Sequence, residues 1–139
     1  MDLPIRGTVL VSLRDEDKAS GAGALRVLQE EGFSLVATAG TAAYMRERGL
    51  DVQPIHKVRE GAPHTESLIS SGEVSLVIAT TRMGDASAVR DSASMRRAAL
   101  EAGIPYFTTV AGARAAASAI RALRAGEVQP IALQDLHTV

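Results

Sequence analysis

Short apolar, β-branched runs alternate along this chain with longer stretches whose apolar positions recur at helical spacing. Residues 7–13 (Gly-Thr-Val-Leu-Val-Ser-Leu) predict a buried strand. A helix then runs to about Glu31, capped by Asp15 or Asp17, with Leu25 and Leu28 on its core face and Gly32 as its stop. Residues 33–38 predict a second strand, Gly40 a turn, and residues 41–48 a helix ended by Gly49. The third strand, 51–55, is weaker and carries Pro54, which suits an edge position. Past a Gly61-Ala62-Pro63 turn, a short helix spans 65–71 and stops at Gly72. Residues 73–79 (Glu-Val-Ser-Leu-Val-Ile-Ala) form the clearest strand pattern. A helix over 86–102 ends at Gly103 with Pro105 close behind, the usual pairing at a helix C-terminus. A fifth strand spans 105–108, a last helix spans 112–125 and ends at Gly126, and the tail from Pro130 to Val139 carries no clear pattern.

Five strands alternating with helices predict an α/β fold, a parallel sheet covered on both faces. No repeat, low-complexity stretch or Pro/Gly/Ser linker interrupts the alternation, so residues 1–139 read as one domain. A compact fold of 139 residues buries roughly 68–70% of the surface its unfolded chain exposes, enough to dispense with a disulfide or metal staple.

Composition removes several classes of function. The chain has no Cys, which excludes thiol catalysis and cysteine zinc sites and fits a reducing cytoplasm. Its residues are 46% hydrophobic but only 3% aromatic, too few rings for a base-stacking platform. A net charge of −1 offers no general attraction to nucleic acid or an anionic membrane. Met1-Asp2-Leu3-Pro4 does not open like a signal peptide, and no apolar run approaches the roughly 18 residues of a spanning helix. The expectation is a soluble domain. One count stands out: of 15 basic residues only Lys18 and Lys57 are lysines, and the other 13 are arginines. Two scarce ammonium groups are worth following.

Ligands of open α/β sheets bind outside the carboxyl ends of the strands, near the switch in strand order. That edge collects Ser12 and Lys18 after the first strand, Thr38-Ala39-Gly40-Thr41 after the second and His56-Lys57 after the third. Thr80-Thr81 follows the fourth strand and Thr108-Thr109 the fifth. Both lysines, six threonine hydroxyls and the N-terminus of a helix therefore converge, with no carboxylate expected at the strand tips. This set describes a pocket for a dianionic phosphate, each charge-assisted hydrogen bond contributing about 1.5–3 kcal/mol. Any one threonine here is equally at home as a strand or cap residue; convergence carries the reading. Other motifs fail. The Gly21-Ala-Gly23-Ala-Leu-Arg26 stretch lacks the third glycine of a dinucleotide fingerprint and falls inside a predicted helix, and no P-loop is present. A two-component receiver would carry a phosphoacceptor Asp where this chain has His56-Lys57. His56, His64 and His137 have no metal-ligand spacing, no metal or cofactor is expected, and Ser12 has no triad partners.

The chain resembles the C-terminal allosteric domains of carbamoyl phosphate synthetase large subunits, within the methylglyoxal-synthase-like superfamily. The likeness is carried by Leu10-Val-Ser-Leu-Arg-Asp-Glu-Asp-Lys18, Ala37-Thr-Ala-Gly-Thr41, Lys57-Val-Arg-Glu-Gly-Ala-Pro-His64, Ile78-Ala-Thr-Thr81, Asp91-Ser-Ala-Ser-Met-Arg-Arg97 and Tyr106-Phe-Thr-Thr109. It implies a three-layer, five-stranded parallel sheet of order 3-2-1-4-5 that binds a nucleoside monophosphate, UMP as inhibitor or IMP as activator. By the same resemblance the phosphate would meet Lys18, Thr38, Thr41 and Lys57, with Thr80, Thr81 and Ser12 close by. Tyr106 and Thr108 would match ornithine-contacting positions. The implied partners are the remaining domains of the large subunit and its glutaminase subunit, in pyrimidine and arginine biosynthesis, with the present chain an excised piece of the larger one. Ala79 departs from the family, which has Asn there, and this bears on nucleotide affinity.

The same superfamily supplies an enzyme alternative, methylglyoxal synthase, which acts on dihydroxyacetone phosphate with an aspartate base in a Gly-Gly-Asp segment. Ala62 aligns with that aspartate, while Glu60 and His64 are offset, and a base out of reach of its proton cannot act. The inosinate cyclohydrolase relatives have longer catalytic segments with no counterpart here. A purely structural module, forming homo-oligomers without binding nucleotide, is the third class left open.

Overall fold

The computed structural model describes residues 3–55, 65–81 and 84–128. Chain order is β1 (Thr8–Ser12), α1 (Asp15–Glu30), β2 (Ser34–Thr38), α2 (Ala39–Glu47), β3 (Val52–Ile55), α3 (Thr65–Ser70), β4 (Val74–Ala79), α4 (Ala86–Ala102), β5 (Tyr106–Phe107) and α5 (Val110–Val128). All four strand pairings are parallel, and the sheet order is β3-β2-β1-β4-β5, as the family resemblance implied. Pro54 lies on β3, an edge strand, where its missing N–H costs no ladder bond. The Gly61-Ala62-Pro63 turn and the tail from Pro130 lie outside the described residues.

Period-two alternation on the strands divides the core into two layers. Val9 and Val11 of β1, Leu35 and Ala37 of β2, and Leu76 and Ile78 of β4 face one way. They pack against Leu25 and Leu28 of α1, Met45 of α2, and Ala113, Ala117 and Ile120 of α5. Leu10, Val77 and Ala79 face the other way, onto Ile69 of α3 and Met95, Ala98 and Ala99 of α4. Small alanines on α4 and α5 let both helices approach the sheet closely. Across the surface, Arg121 of α5 reaches Glu30 at 2.6 Å and Glu31 at 2.9 Å, tying α5 to the end of α1.

Several local expectations are corrected. Neither Asp15 nor Asp17 caps α1: the cap position is Arg14, and the two carboxylates lie in the first turn, beside the positive end of the helix dipole. Gly40 is no turn but the second residue of α2, which begins directly at the end of β2. Gly126 does not end α5, which runs from Val110 to Val128; the stop glycines Gly32, Gly49, Gly72 and Gly103 all have positive φ and Gly126 does not. Gly21 sits inside α1 against Leu13, so it serves close packing rather than a phosphate. Between β1 and β4 the register slips by one residue, leaving Ser75 as the extra position. Its hydroxyl donates to the carbonyls of Arg6 and Thr8, and Gly7, at φ 124°, supplies the backbone shape that this bulge demands.

Candidate functional site

β1 hands the chain to α1 on one face of the sheet and β4 hands it to α4 on the other, so the strand order reverses between these neighbours. At that crevice Ser12 pairs with Ala79 across the sheet. A pocket of about 300 Å³ opens there, lined by Ser12, Leu13, Arg14, Asp15, Lys18, Thr38, Gly40, Thr41, Thr80, Asp85 and Ala88. Five of the seven residues expected to form the phosphate site, Ser12, Lys18, Thr38, Thr41 and Thr80, thus surround one space. Thr81 lines a smaller pocket of about 40 Å³ that shares Ser12, Thr38, Thr80 and Ala88 with the first and is also lined by Ala79, Asp91, Ser92 and Met95. Lys57, with His56, Glu60, Ala62 and His64, lies outside the described residues.

The hydroxyls differ in what they do. Thr41, 1% exposed, accepts the Leu13 N–H at 3.0 Å and sits 3.4 Å from the Leu13 carbonyl, so its side chain braces the turn after β1. Thr80 plays the matching part from the other side: its hydroxyl accepts the Arg14 N–H at 2.9 Å, and its own N–H donates to the Ser12 carbonyl at 2.9 Å. Together they hold the β1–α1 connection, and with it Lys18, over the pocket. Thr38 donates toward Ser12 Oγ at 3.3 Å and makes no side-chain cap on α2. The first N–H groups of α2, which have no intrahelical acceptors, therefore open on the pocket, with no acidic residue in that turn.

Lys18 reaches this helix end from α1. Its ammonium lies 3.1 Å from where a Cβ on Gly40 would stand, so a larger residue there would push the end of the Lys18 side chain back by a few tenths of an ångström. The expectation of a cradle free of carboxylates is corrected. Asp15 pairs with Lys18 at 2.6 Å, and Asp85, whose carboxylate caps α4 through the N–H groups of Ser87 and Ala88, also lines the pocket. Arg14, bound to Asp17 at 2.7 Å, is a second cation there. A polar, open pocket with an ammonium over free helix N–H groups is chemically suited to an anionic oxygen ligand. Among the described residues there is no group of three potential metal ligands, and no helix is long and apolar enough to cross a membrane.

The remaining two expected positions lie apart from this pocket. Thr108 lines a hollow with Arg14, Thr80, Thr81, Arg96 and Thr109, and shares with Tyr106 an apolar groove along β5. Ser92 joins them to the site. Its hydroxyl, 8% exposed, stands 2.6 Å from Thr81 Oγ1 and 3.3 Å from the Tyr106 hydroxyl, which also approaches the Ser92 carbonyl at 3.3 Å. Ser92, Asp15 and Asp85 were not anticipated as lining residues. Helical spacing gave one usable signal: Ser92 falls on the same face of α4 as the buried Met95 and Ala99, a polar residue on a core stripe.

Residues 22–108 match the family described as the MGS-like domain. The chain is 50% identical over 133 residues to the carbamoyl phosphate synthase large chain of Rhizobium meliloti, covering 94% of this chain and 11% of that one. It is 41% identical over 136 residues to the carbamoyl phosphate synthase large chain, C-terminal section, of Methanopyrus kandleri, covering 98% and 25%. Identity is 38% over 133 residues to the chloroplastic arginine-specific large chain of Oryza sativa, covering 96% and 11%. The chain thus spans between about a tenth and a quarter of the length of these relatives. In structure it resembles methylglyoxal synthase from Elizabethkingia anophelis, with a TM-score of 0.61 and 21% identity over 84% of this chain and 80% of that one, a likeness of fold alone. Sequence match, strand order and structural neighbour agree, and the chain belongs to the MGS-like domain family.

Proposed function

We propose that this chain is a single regulatory domain of a cytoplasmic carbamoyl phosphate synthetase large subunit, one that binds a nucleoside monophosphate through its phosphate group. The observation that carries the reading is the Lys18 ammonium held over the open N-terminus of α2, among Ser12, Thr38 and Thr80. Lys57 is assigned as the second ammonium on the sequence pattern, and Tyr106 and Thr108 as the contacts for ornithine or the neighbouring domain. UMP and IMP are the effectors that the family resemblance implies, and the remaining large-subunit domains and the glutaminase subunit are the partners. Regulation requires reciprocity: an effector that weakens substrate binding elsewhere in the assembly has its own affinity weakened by that substrate to the same extent.

Calorimetric titration with UMP and with IMP, at low and high salt, tests the reading. Saturable binding is expected for at least one nucleotide, weakened by salt, and weakened about tenfold or more in Lys57→Ala through loss of a charge-assisted contact. No saturable heat with either nucleotide, or equal affinity in the variant, counts against it. The same preparation is expected to release no phosphate from dihydroxyacetone phosphate above background, since Ala62 offers no base.

Ala79 sets a further expectation. It is 3% exposed and stands beside the small pocket shared by Ser12, Thr38, Thr80, Thr81 and Ser92. Ala79→Asn places an amide among those hydroxyls in a space of about 40 Å³. One net hydrogen bond is worth about 1 kcal/mol, so UMP affinity should rise about fivefold. Unchanged or weaker binding in a folded variant removes this role for the position.

A further inference from the structure

We infer that Asp15 is an intramolecular competitor for the Lys18 ammonium, so that ligand enters this pocket by exchange with a resident carboxylate rather than into a bare cationic cradle. The inference rests on reading the pocket as an anion site and adds a residue that sets its affinity. Each cation in the described lining already faces a carboxylate: Lys18 faces Asp15 at 2.6 Å, and Arg14 faces Asp17 at 2.7 Å and Glu16 at 3.8 Å. The positive feature of the lining that its own helix leaves uncompensated is the start of α2, with no side-chain cap and no acidic residue in its first turn. Lys18 is held against that helix end, close to Gly40, so two positive groups face each other there. Such an arrangement needs an anion, and Asp15, from the first turn of α1, supplies it.

The two partners are exposed very differently. The Lys18 side chain is 13% exposed and that of Asp15 is 69% exposed. The ammonium is thus fixed beside the start of α2, while the carboxylate that faces it stands at the solvent-exposed rim, where its charge stays hydrated whether or not it pairs with Lys18. Their i,i+3 spacing keeps Asp15 within reach of Lys18 whatever ligand is present, so its effective concentration there never falls. Ligand sees only the fraction of molecules in which Lys18 is released, and the apparent affinity is lowered by that fraction. Because the displaced group is always the same, the penalty is shared by every ligand that uses Lys18.

The test is a double-mutant cycle on the full chain, with UMP and inorganic phosphate titrated into wild type, Asp15→Asn, Lys18→Ala and the double variant at low ionic strength. Asp15→Asn is expected to tighten both ligands about 3- to 10-fold, the range of a partly exposed ion pair plus relief of repulsion. In the Lys18→Ala background the same change is expected to shift affinity less than twofold. Asp15→Ser, a second neutral variant suited to a helix N-terminus, is expected to behave like Asp15→Asn. If wild type binds but neither neutral variant tightens binding, Asp15 is no competitor and the inference falls alone. A gain that persists undiminished without Lys18 also overturns it, since the effect is then repulsion through space. If none of the proteins binds either ligand, the anion-site reading itself falls and takes this inference with it.

Discussion

Replacing Lys18 with alanine should raise the dissociation constant for UMP about 30-fold, by titration calorimetry, with little loss of thermal stability. One charge-assisted hydrogen bond to a phosphate is worth about 1.5–3 kcal/mol, and about 2 kcal/mol corresponds to that factor. Stability should barely move because the pair lost with Lys18 has a carboxylate partner at 69% exposure, and such pairs contribute about 0–1 kcal/mol. Lys18→Arg should not rescue binding. The ammonium stands 3.1 Å from the Cβ position of Gly40, and a guanidinium in that gap meets the backbone of α2. Wild-type affinity in Lys18→Ala would detach the pocket from phosphate recognition altogether.

Leu10→Ala should be the most damaging single change to stability, about 3–4 kcal/mol, lowering the melting temperature by about 12 °C in a calorimetric scan. Leu10 is 0% exposed at the centre of β1, the middle strand of the sheet, and packs in the layer formed with Ile69, Val77, Met95 and Ala99. Its neighbours lie on three separate elements that β1 holds apart, so the site cannot collapse onto a truncated side chain. Leu123→Ala, at a residue 49% exposed on α5, is the control and should change stability by no more than about 0.5 kcal/mol. Equal losses at both positions would contradict the two-layer core described here. Below the melting transition, Leu10→Ala should leave UMP affinity unchanged, because Leu10 is fully buried in the core and lines neither of the pockets at the sheet edge.

Much of this fold is written locally. The β-branched runs that become β1, β2 and β4 are buried on both faces, which is why they read as continuous apolar segments rather than alternating ones. Glycines at positive φ ended α4 and the turns after α1, α2 and α3 where expected. The misjudged ends have one cause. Gly40 and Gly126 look like punctuation by residue type, yet each lies in a helix, and the Lys18 ammonium packs close to Gly40. A glycine packed against a neighbour's side chain cannot be told by sequence from one kept for its own backbone.

The candidate site divides in the same way. By itself the sequence determined which residues stand at the carboxyl ends of the strands, because a parallel sheet of alternating strands and helices brings every such end to one edge. Ser12, Lys18, Thr38, Thr41 and Thr80 therefore meet around one pocket. What each of them does there was decided only by the tertiary structure. Thr41 is turned to Leu13, 28 positions away, Thr80 to Arg14 across 66, and Ser92 to Thr81 across 11. Asp15 enters the pocket because the turn after β1, held by those two threonines, aims the first turn of α1 at the start of α2. Periodicity encodes the face of an element that a residue occupies. Hydrogen bonds and ion pairs between elements depend on how those faces meet in space, and no local pattern records that.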